Sequence, residues 1–129
     1  MKKGNMLVLI FTVAMLCVCI AMPVWAFKIT VTSELSQDDG KVYTSVRWGL
    51  LSKVHNFNDG HGISPGQTVT FSNEDWKNKG LCWDDVSVKP QTQWSGCPAP
   101  QWKDRTVTQC RDIKVILKRS GCTVEPFVY

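Results

Sequence analysis

Apolar and polar residues alternate along much of the chain, and this period-two pattern limits its fold more than any other feature. It is clearest in FKITV, residues 27–31, and in KVYTSVRW, residues 41–48. Because successive side chains of a β-strand point to opposite faces, such alternation predicts strands that are buried on one side. A helical period is almost absent. The pattern therefore predicts an all-β fold, a small antiparallel β-sandwich or barrel of about six short strands.

Turn-forming residues separate these strands. Asp39-Gly40 is a pair that accepts positive φ angles, so it predicts a hairpin joining strands at residues 27–36 and 41–51. The apolar period then stops in two segments, residues 52–67 and 90–105, which are predicted to be long loops. The first has room for a short edge strand and ends in Pro-Gly, a pair that suits a type II turn.

Residues 1–26 have the three parts of a cleavable signal peptide. Two lysines give the positive start typical of a bacterial export signal, an apolar run spans residues 7–22, and Ala26 ends an A-x-A-like cleavage site. The run is long enough to cross a membrane, but a polar β pattern follows it instead of a positive stop-transfer cluster. Cleavage after Ala26 is expected to leave one domain, residues 27–129, in the periplasm or outside the cell, without a membrane span.

The charge of that domain is nearly balanced. The whole chain has 15 basic and 11 acidic residues, and the loss of Lys2 and Lys3 lowers its net charge from +4 to about +2. The remaining cations are scattered, whereas a phosphate-binding surface concentrates them. Nucleic acid is therefore not an expected partner.

Four of the six cysteines remain after cleavage: Cys82, Cys97, Cys110 and Cys122. In a small exported domain they predict two disulfides, because the compartment is oxidising and the core is small. A zinc site would use close pairs such as C-x2-C, whereas these cysteines are 15, 13 and 12 positions apart.

Strand geometry limits how these cysteines pair. A strand between Cys110 and Cys122 would hold them about 20 Å apart, whereas a disulfide needs Cα atoms within about 7 Å. This disfavours that pair and, with it, Cys82–Cys97. Of the two remaining arrangements, the sequence favours Cys82–Cys122 with Cys97–Cys110, which ties the second long loop to the strand that follows it. The alternative is Cys82–Cys110 with Cys97–Cys122.

Tryptophan is the most suggestive residue type, and the domain contains five of the six in the chain. Trp48 continues the inward series of its strand and is expected in the core. The others lie in turns and loops or, for Trp83, on the strand face opposite Cys82. Exposed aromatic rings suit the apolar faces of sugars or the hot spots of protein partners. The candidate binding residues are Trp76, Trp83, Trp94, Trp102, Gln93 and Gln101.

The other polar groups give little support to an enzyme or a metal centre. Asp84 and Asp85 are neighbours on a predicted strand, so their carboxylates point to opposite faces and do not form the facing pair of a glycosidase. In the 55–62 segment, Asp59 and His61 are weak metal candidates, because one acid is too few for calcium and zinc needs a third ligand. The segment is typical of a turn. No cofactor is expected.

The sequence therefore favours a non-catalytic module that binds a protein or a carbohydrate through a tryptophan-rich, disulfide-tied loop end. One alternative is a structural or assembly protein of the cell envelope that pairs through an exposed sheet edge, for which residues 126–129 are the candidate. A small hydrolase that uses Asp84, Asp59 and His61 is the least favoured alternative.

Overall fold

In the described part of the chain, eight β-strands form two four-stranded sheets, which confirms the predicted all-β class. The computed structural model describes residues 26–73 and 81–129, so almost all of the predicted signal peptide, and Trp76, lie outside the described residues. Within those ranges no helix is long and apolar enough to span a membrane. The strands are β1 (Lys28–Ser33), β2 (Val42–Trp48), β3 (Lys53–Asn56), β4 (Thr68–Ser72), β5 (Trp83–Pro90), β6 (Lys103–Gln109), β7 (Ile113–Ser120) and β8 (Thr123–Val128).

The two sheets share one hydrophobic core. Sheet 1 has the strand order β4-β1-β7-β8, and sheet 2 has the order β3-β2-β5-β6. Neighbouring strands are antiparallel except β1 and β7, which are parallel. Buried residues from both sheets form a single cluster, so the sheets pack face to face as a sandwich.

The predicted hairpin between residues 27–36 and 41–51 is wrong, because β1 and β2 belong to different sheets. A type I′ hairpin turn needs positive φ at both central positions. Gly40 has a φ of 75°, whereas Asp39 ends a short 3₁₀ turn, Gln37–Asp39. The chain therefore crosses from one sheet to the other at this point.

Asp39 is buried and fixes this crossing. Its carboxylate accepts hydrogen bonds from Arg119 Nη1 at 2.6 Å and from the Ser36 backbone N–H at 3.2 Å, and its carbonyl accepts the indole N–H of Trp94 at 2.8 Å. Burial alone would raise the pKa of Asp39, but the hydrogen bonds from Arg119 and Ser36 outweigh it and hold the pKa below its ordinary value. The pair with Arg119 therefore stabilises the fold at neutral pH and is lost only as the pH falls through that lowered pKa.

A β-bulge at Asp84 decides which side chains of β5 face the core. The register of β5 shifts between Trp83 and Asp85 against both of its neighbours. The extra residue places Trp83 on the same side as Val86, although the two are three residues apart. Trp83 is fully buried, and its indole N–H donates to the Arg111 carbonyl at 3.0 Å. Trp83, which the sequence placed on the strand face opposite Cys82 and made a candidate binding residue, therefore lies in the core.

The cysteines form the arrangement that the sequence placed second. The disulfides join Cys82 to Cys110 and Cys97 to Cys122, so the favoured pairing of Cys82–Cys122 with Cys97–Cys110 is wrong. Residues 103–109, assigned partly to a loop, form the seven residues of β6, about 23 Å at 3.3 Å per residue. This strand runs antiparallel to β5, so it carries Cys110 away from Cys97 and places it beside Cys82. The argument against Cys110–Cys122 is confirmed.

The first long loop behaves as predicted. It contains the short edge strand β3, which pairs with β2. Its final turn has Gly66 at a φ of 79°, and the Gln67 N–H donates to the Ser64 carbonyl at 3.0 Å. Glycine at this position tolerates the positive φ that a type II turn requires.

Side chains close both open sides of the sandwich. Where β3 approaches β4, the His55 ring stacks on Phe71, with 3.8 Å between centroids and 7° between planes. Where β6 approaches β8, Lys103 forms an ion pair with Glu125. One side is therefore closed by aromatic rings and the other by charges.

The His55 stack predicts that stability falls in mild acid. Burial against Phe71 lowers the pKa of His55, and the nearby Asp59, which acts in the opposite direction, does not offset this. The unfolded chain therefore binds the proton more readily than the folded one. The free energy of unfolding is expected to fall as the pH drops below about 6.5, the ordinary histidine value.

Thermal unfolding at pH 7.5 and pH 5 measures this effect. Replacing His55 by phenylalanine keeps an aromatic ring in the stack and removes the titration, so the stability of His55→Phe should change less between the two pH values. His61→Gln alters the exposed histidine of the same region and serves as the control. Equal losses of stability for the wild type and His55→Phe would contradict the prediction.

Candidate functional site

Trp102 is the exposed tryptophan of the described chain, with 53% of its surface accessible. Its ring centroid lies 6.5 Å from that of Tyr43, with 37° between the ring planes. Lys89 Nζ lies 6.0 Å from the Trp102 centroid, and Gln91 Nε2 donates to the Tyr43 hydroxyl at 3.3 Å. We call Tyr43, Lys89, Gln91 and Trp102 the aromatic face.

Three strands of sheet 2 bring these side chains to its outer surface. Tyr43 belongs to the solvent-facing set of β2, whose alternate residues are buried. Lys89 lies opposite Tyr43 in the register of β5, and Trp102 immediately precedes β6 on the far side of β5. Neighbouring strands are about 4.8 Å apart, so the indole reaches across β5 toward Tyr43.

Two hollows flank Trp102. The larger, with a volume of about 390 Å³, is lined by prolines of the 91–102 loop and by the first residues of β8. The smaller, with a volume of about 240 Å³, is lined by Tyr43, Asn56 and Gly60. Trp102 lines both hollows, so it is the wall that they share.

The 91–102 loop is fixed at several points before it reaches Trp102. The Trp94 side chain is buried, and the Arg119 guanidinium carbon lies 4.2 Å from its ring centroid. Three residues later, Cys97 forms its disulfide with the turn between β7 and β8. The backbone before Trp102 is therefore fixed in place. A fixed backbone loses less conformational entropy when a ligand binds.

Apart from Val54, which lies opposite Arg47 and is exposed, the rest of the outer face of sheet 2 carries polar groups that are largely paired. Arg47 Nε donates to both carboxylate oxygens of Asp85, at 3.1 and 3.3 Å, and this carboxylate raises the pKa of Arg47 above its ordinary value. The Ser87 hydroxyl donates to Asp104 at 2.6 Å. Lys89 differs from these groups, since it forms no ion pair with the described residues.

Among the candidate binding residues that the structure describes, two come together and the others do not. Trp102 and Gln101 both line the larger hollow. Gln93 is exposed, but its amide donates to a backbone carbonyl of its own loop at 2.8 Å. Trp83 and Trp94 are buried, so neither offers its ring to a ligand.

Tyr43 and Lys89 are the members of the aromatic face that a search for tryptophans missed. The signal for Tyr43 was present, because it occupies a polar position in the alternating stretch of residues 41–48. A single aromatic ring at a solvent-facing position of a strand is ordinary, and it becomes a candidate for ligand contact when a second exposed ring lies beside it. The positions of Lys89 and Gln91 beside it depend on strand pairing between β2 and β5.

The candidate catalytic and metal residues are not brought together. Asp59 and His61 belong to the turn beside Tyr43, and Asp59 has a left-handed φ of 52° there. Asp84 lies near Arg47 of β2. Arg47 is four residues from Tyr43 along this strand, a distance of about 13 Å. In the described part of the chain, no three His, Cys, Asp or Glu side chains are grouped as metal ligands.

Comparisons of the chain with protein families, with curated proteins and with solved structures found no match. Function is therefore inferred from the chemistry of the aromatic face, the two hollows and the loop that holds them.

Proposed function

We propose that this chain is an exported, non-catalytic binding module, periplasmic or extracellular, whose glycan or protein ligand contacts the aromatic face. The observation that carries the proposal is the exposure of Trp102 between two hollows. Exposed apolar surface costs about 25 cal/mol per Å² relative to burial. Tryptophan is also among the residues most enriched in binding hot spots. A ligand that covers the Trp102 ring removes this apolar surface from water and gains the corresponding free energy.

The construction of the loop supports a binding role. Trp94 and the Cys97–Cys122 disulfide hold the 91–102 loop without using the Trp102 ring. Disulfides form and persist in oxidising compartments, in agreement with export. A held loop with one free aromatic side chain suits recognition and requires no catalytic group.

The alternative, assembly through the β8 edge, has less support. Tyr129 and Lys114 exchange both backbone hydrogen bonds, so they form a hydrogen-bonded pair of the antiparallel ladder. In such a ladder every second residue bonds to the neighbouring strand. Pro126, three residues before Tyr129, therefore directs its backbone groups away from β7, toward the free edge. Proline has no N–H to donate, and the Pro126 carbonyl already accepts a hydrogen bond from Arg105 at 2.9 Å. An added strand would find neither donor nor acceptor at this position, which is how native edges resist pairing.

Replacing Trp102 by alanine is expected to weaken ligand binding about 100-fold, as for a hot-spot residue worth about 2–3 kcal/mol. Because the side chain is exposed, the free energy of unfolding should change by less than about 1 kcal/mol. A glycan array and an extracellular protein extract, each probed with wild-type and variant chains, identify the ligand. Titration calorimetry then gives the ratio of the two dissociation constants.

Phe127→Ala is the matched control, because Phe127 is 38% exposed on β8, in the other sheet. It should retain the wild-type affinity. If Trp102→Ala binds every ligand as tightly as the wild type, or if the wild type retains neither a glycan nor a protein, the proposal is wrong.

A further inference from the structure

We infer that the ligand of the aromatic face is an acidic glycan, an oligosaccharide that carries carboxylate or sulfate groups. This inference rests on the proposed function, because it names the ligand class for the same surface. Three observations carry it: the shape of the site, the polarity around its two rings, and the charge of Lys89.

The shape of the site suits an extended ligand of repeated units. Trp102 lines both hollows, so a ligand that occupies both must pass over the indole. The larger volume, about 390 Å³, lies near the lower end of the range for small-molecule sites, and the smaller, about 240 Å³, lies just below it. Successive sugar rings can fill one hollow, cover the indole and enter the other.

The polarity of the site favours a glycan over a protein. A pyranose ring has C–H faces that pack on aromatic rings and hydroxyl edges that hydrogen-bond to amides. Here Tyr43 and Trp102 supply the rings, and Gln91, Asn56 and Gln101 supply amides at or beside the hollows.

A protein partner would need a larger apolar surface. A standard interface buries about 800 Å² on each side, and its core is depleted of charged residues. Beyond the two rings, the outer face of sheet 2 is occupied by Arg47 with Asp85 and by Ser87 with Asp104. These groups already bond to one another and do not extend the apolar surface. The exposed Val54 lies opposite Arg47, about 13 Å along β2 from the level of Tyr43, so it does not adjoin the two rings.

The charge of Lys89 selects an acidic ligand. Its ammonium group lies beside Trp102 and has no ion-pair partner among the described residues. Lys89 lies outside the linings of the two hollows, and Lys103, the cation that lines the larger one, is paired with Glu125. The smaller hollow has the acidic Asp59 next to its lining residue Gly60. A ligand acid group is therefore expected at Lys89, where it forms a charge-assisted contact.

An array of acidic oligosaccharides, each beside its carboxyl-reduced or desulfated counterpart, tests the inference. The wild type should bind the acidic member of a pair about ten-fold more tightly than the neutral one, and the difference should shrink at high salt because charge is screened. Lys89→Gln should remove the difference. Lys118→Gln is the control, since Lys118 lies over the Phe127 ring at 5.5 Å, in the other sheet.

The outcomes separate this inference from the proposed function. Equal binding of acidic and neutral members, unchanged by Lys89→Gln but weakened by Trp102→Ala, overturns the acidic ligand and leaves the binding module in place. The same holds if the array binds nothing while a protein is retained through Trp102. Binding that is insensitive to Trp102→Ala overturns both.

Discussion

Replacing Trp94 with alanine is expected to lower the free energy of unfolding by about 3–5 kcal/mol, the usual cost of removing a buried large aromatic side chain. Trp94 is 7% exposed, its N–H donates to the Asp39 carbonyl at 2.8 Å, and Arg119 lies over its ring at 4.2 Å. The substitution therefore removes packing, a buried hydrogen bond and a cation–π contact together. Denaturant unfolding with the disulfides intact measures the loss.

Two further variants divide this effect into its parts. Trp94→Phe keeps a ring against Arg119 and removes the donor to Asp39, so it should cost about 1–2 kcal/mol. Trp102→Ala removes the same kind of side chain from an exposed position in the same loop and should cost less than about 1 kcal/mol. If the alanine variants of Trp94 and Trp102 lose equal stability, the buried position contributes nothing special and the prediction is wrong.

Local alternation predicted which side of a strand is buried, but not which strands pair. In β1 and β2 the apolar positions Ile29, Val31, Val42 and Val46 are all buried, as their period indicates. Burial of one face depends on the residues of that strand alone. Pairing depends on distant segments, and β1 pairs with β4 and β7 instead of with β2.

The disulfide prediction failed because β6 has almost no apolar period. Only Val107 of its seven residues is buried, and the strand lies at the edge of sheet 2. An edge strand with little buried surface lacks the alternation by which strands are recognised in a sequence. The loop predicted at residues 90–105 therefore included the first residues of β6. As a result, the distance between Cys97 and Cys110 was underestimated.

The binding site was predictable only in part for a related reason. Trp94 and Trp102 occupy the same loop, eight residues apart, and nothing in their local sequence tells them apart. Trp94 is buried because it contacts Asp39, 55 residues away, and Arg119. Tyr43 was identifiable from its solvent-facing position, but its distance from Trp102 follows from the strand order in sheet 2.

Removing the Cys97–Cys122 disulfide, by changing both cysteines to serine, is expected to reduce stability and ligand binding together. The cysteines are 25 residues apart, so loop closure predicts a loss of about 3.5 kcal/mol. Cys122 also lines the larger hollow. Without the bond, the loop before Trp102 must be ordered when the ligand binds, which should weaken affinity about ten-fold.

The Cys82–Cys110 disulfide is the matched control for this experiment. Its separation of 28 residues predicts nearly the same loss of stability. It lies before the start of β5, whereas Lys89 is near the other end, about 20 Å away along the strand. Its removal should therefore leave affinity near the wild-type value at a temperature where both variants are folded.

If both variants lose affinity equally, the loss follows global stability and the Cys97–Cys122 bond does not organise the site. A loss confined to the Cys97–Cys122 variant ties affinity to the loop that presents Trp102.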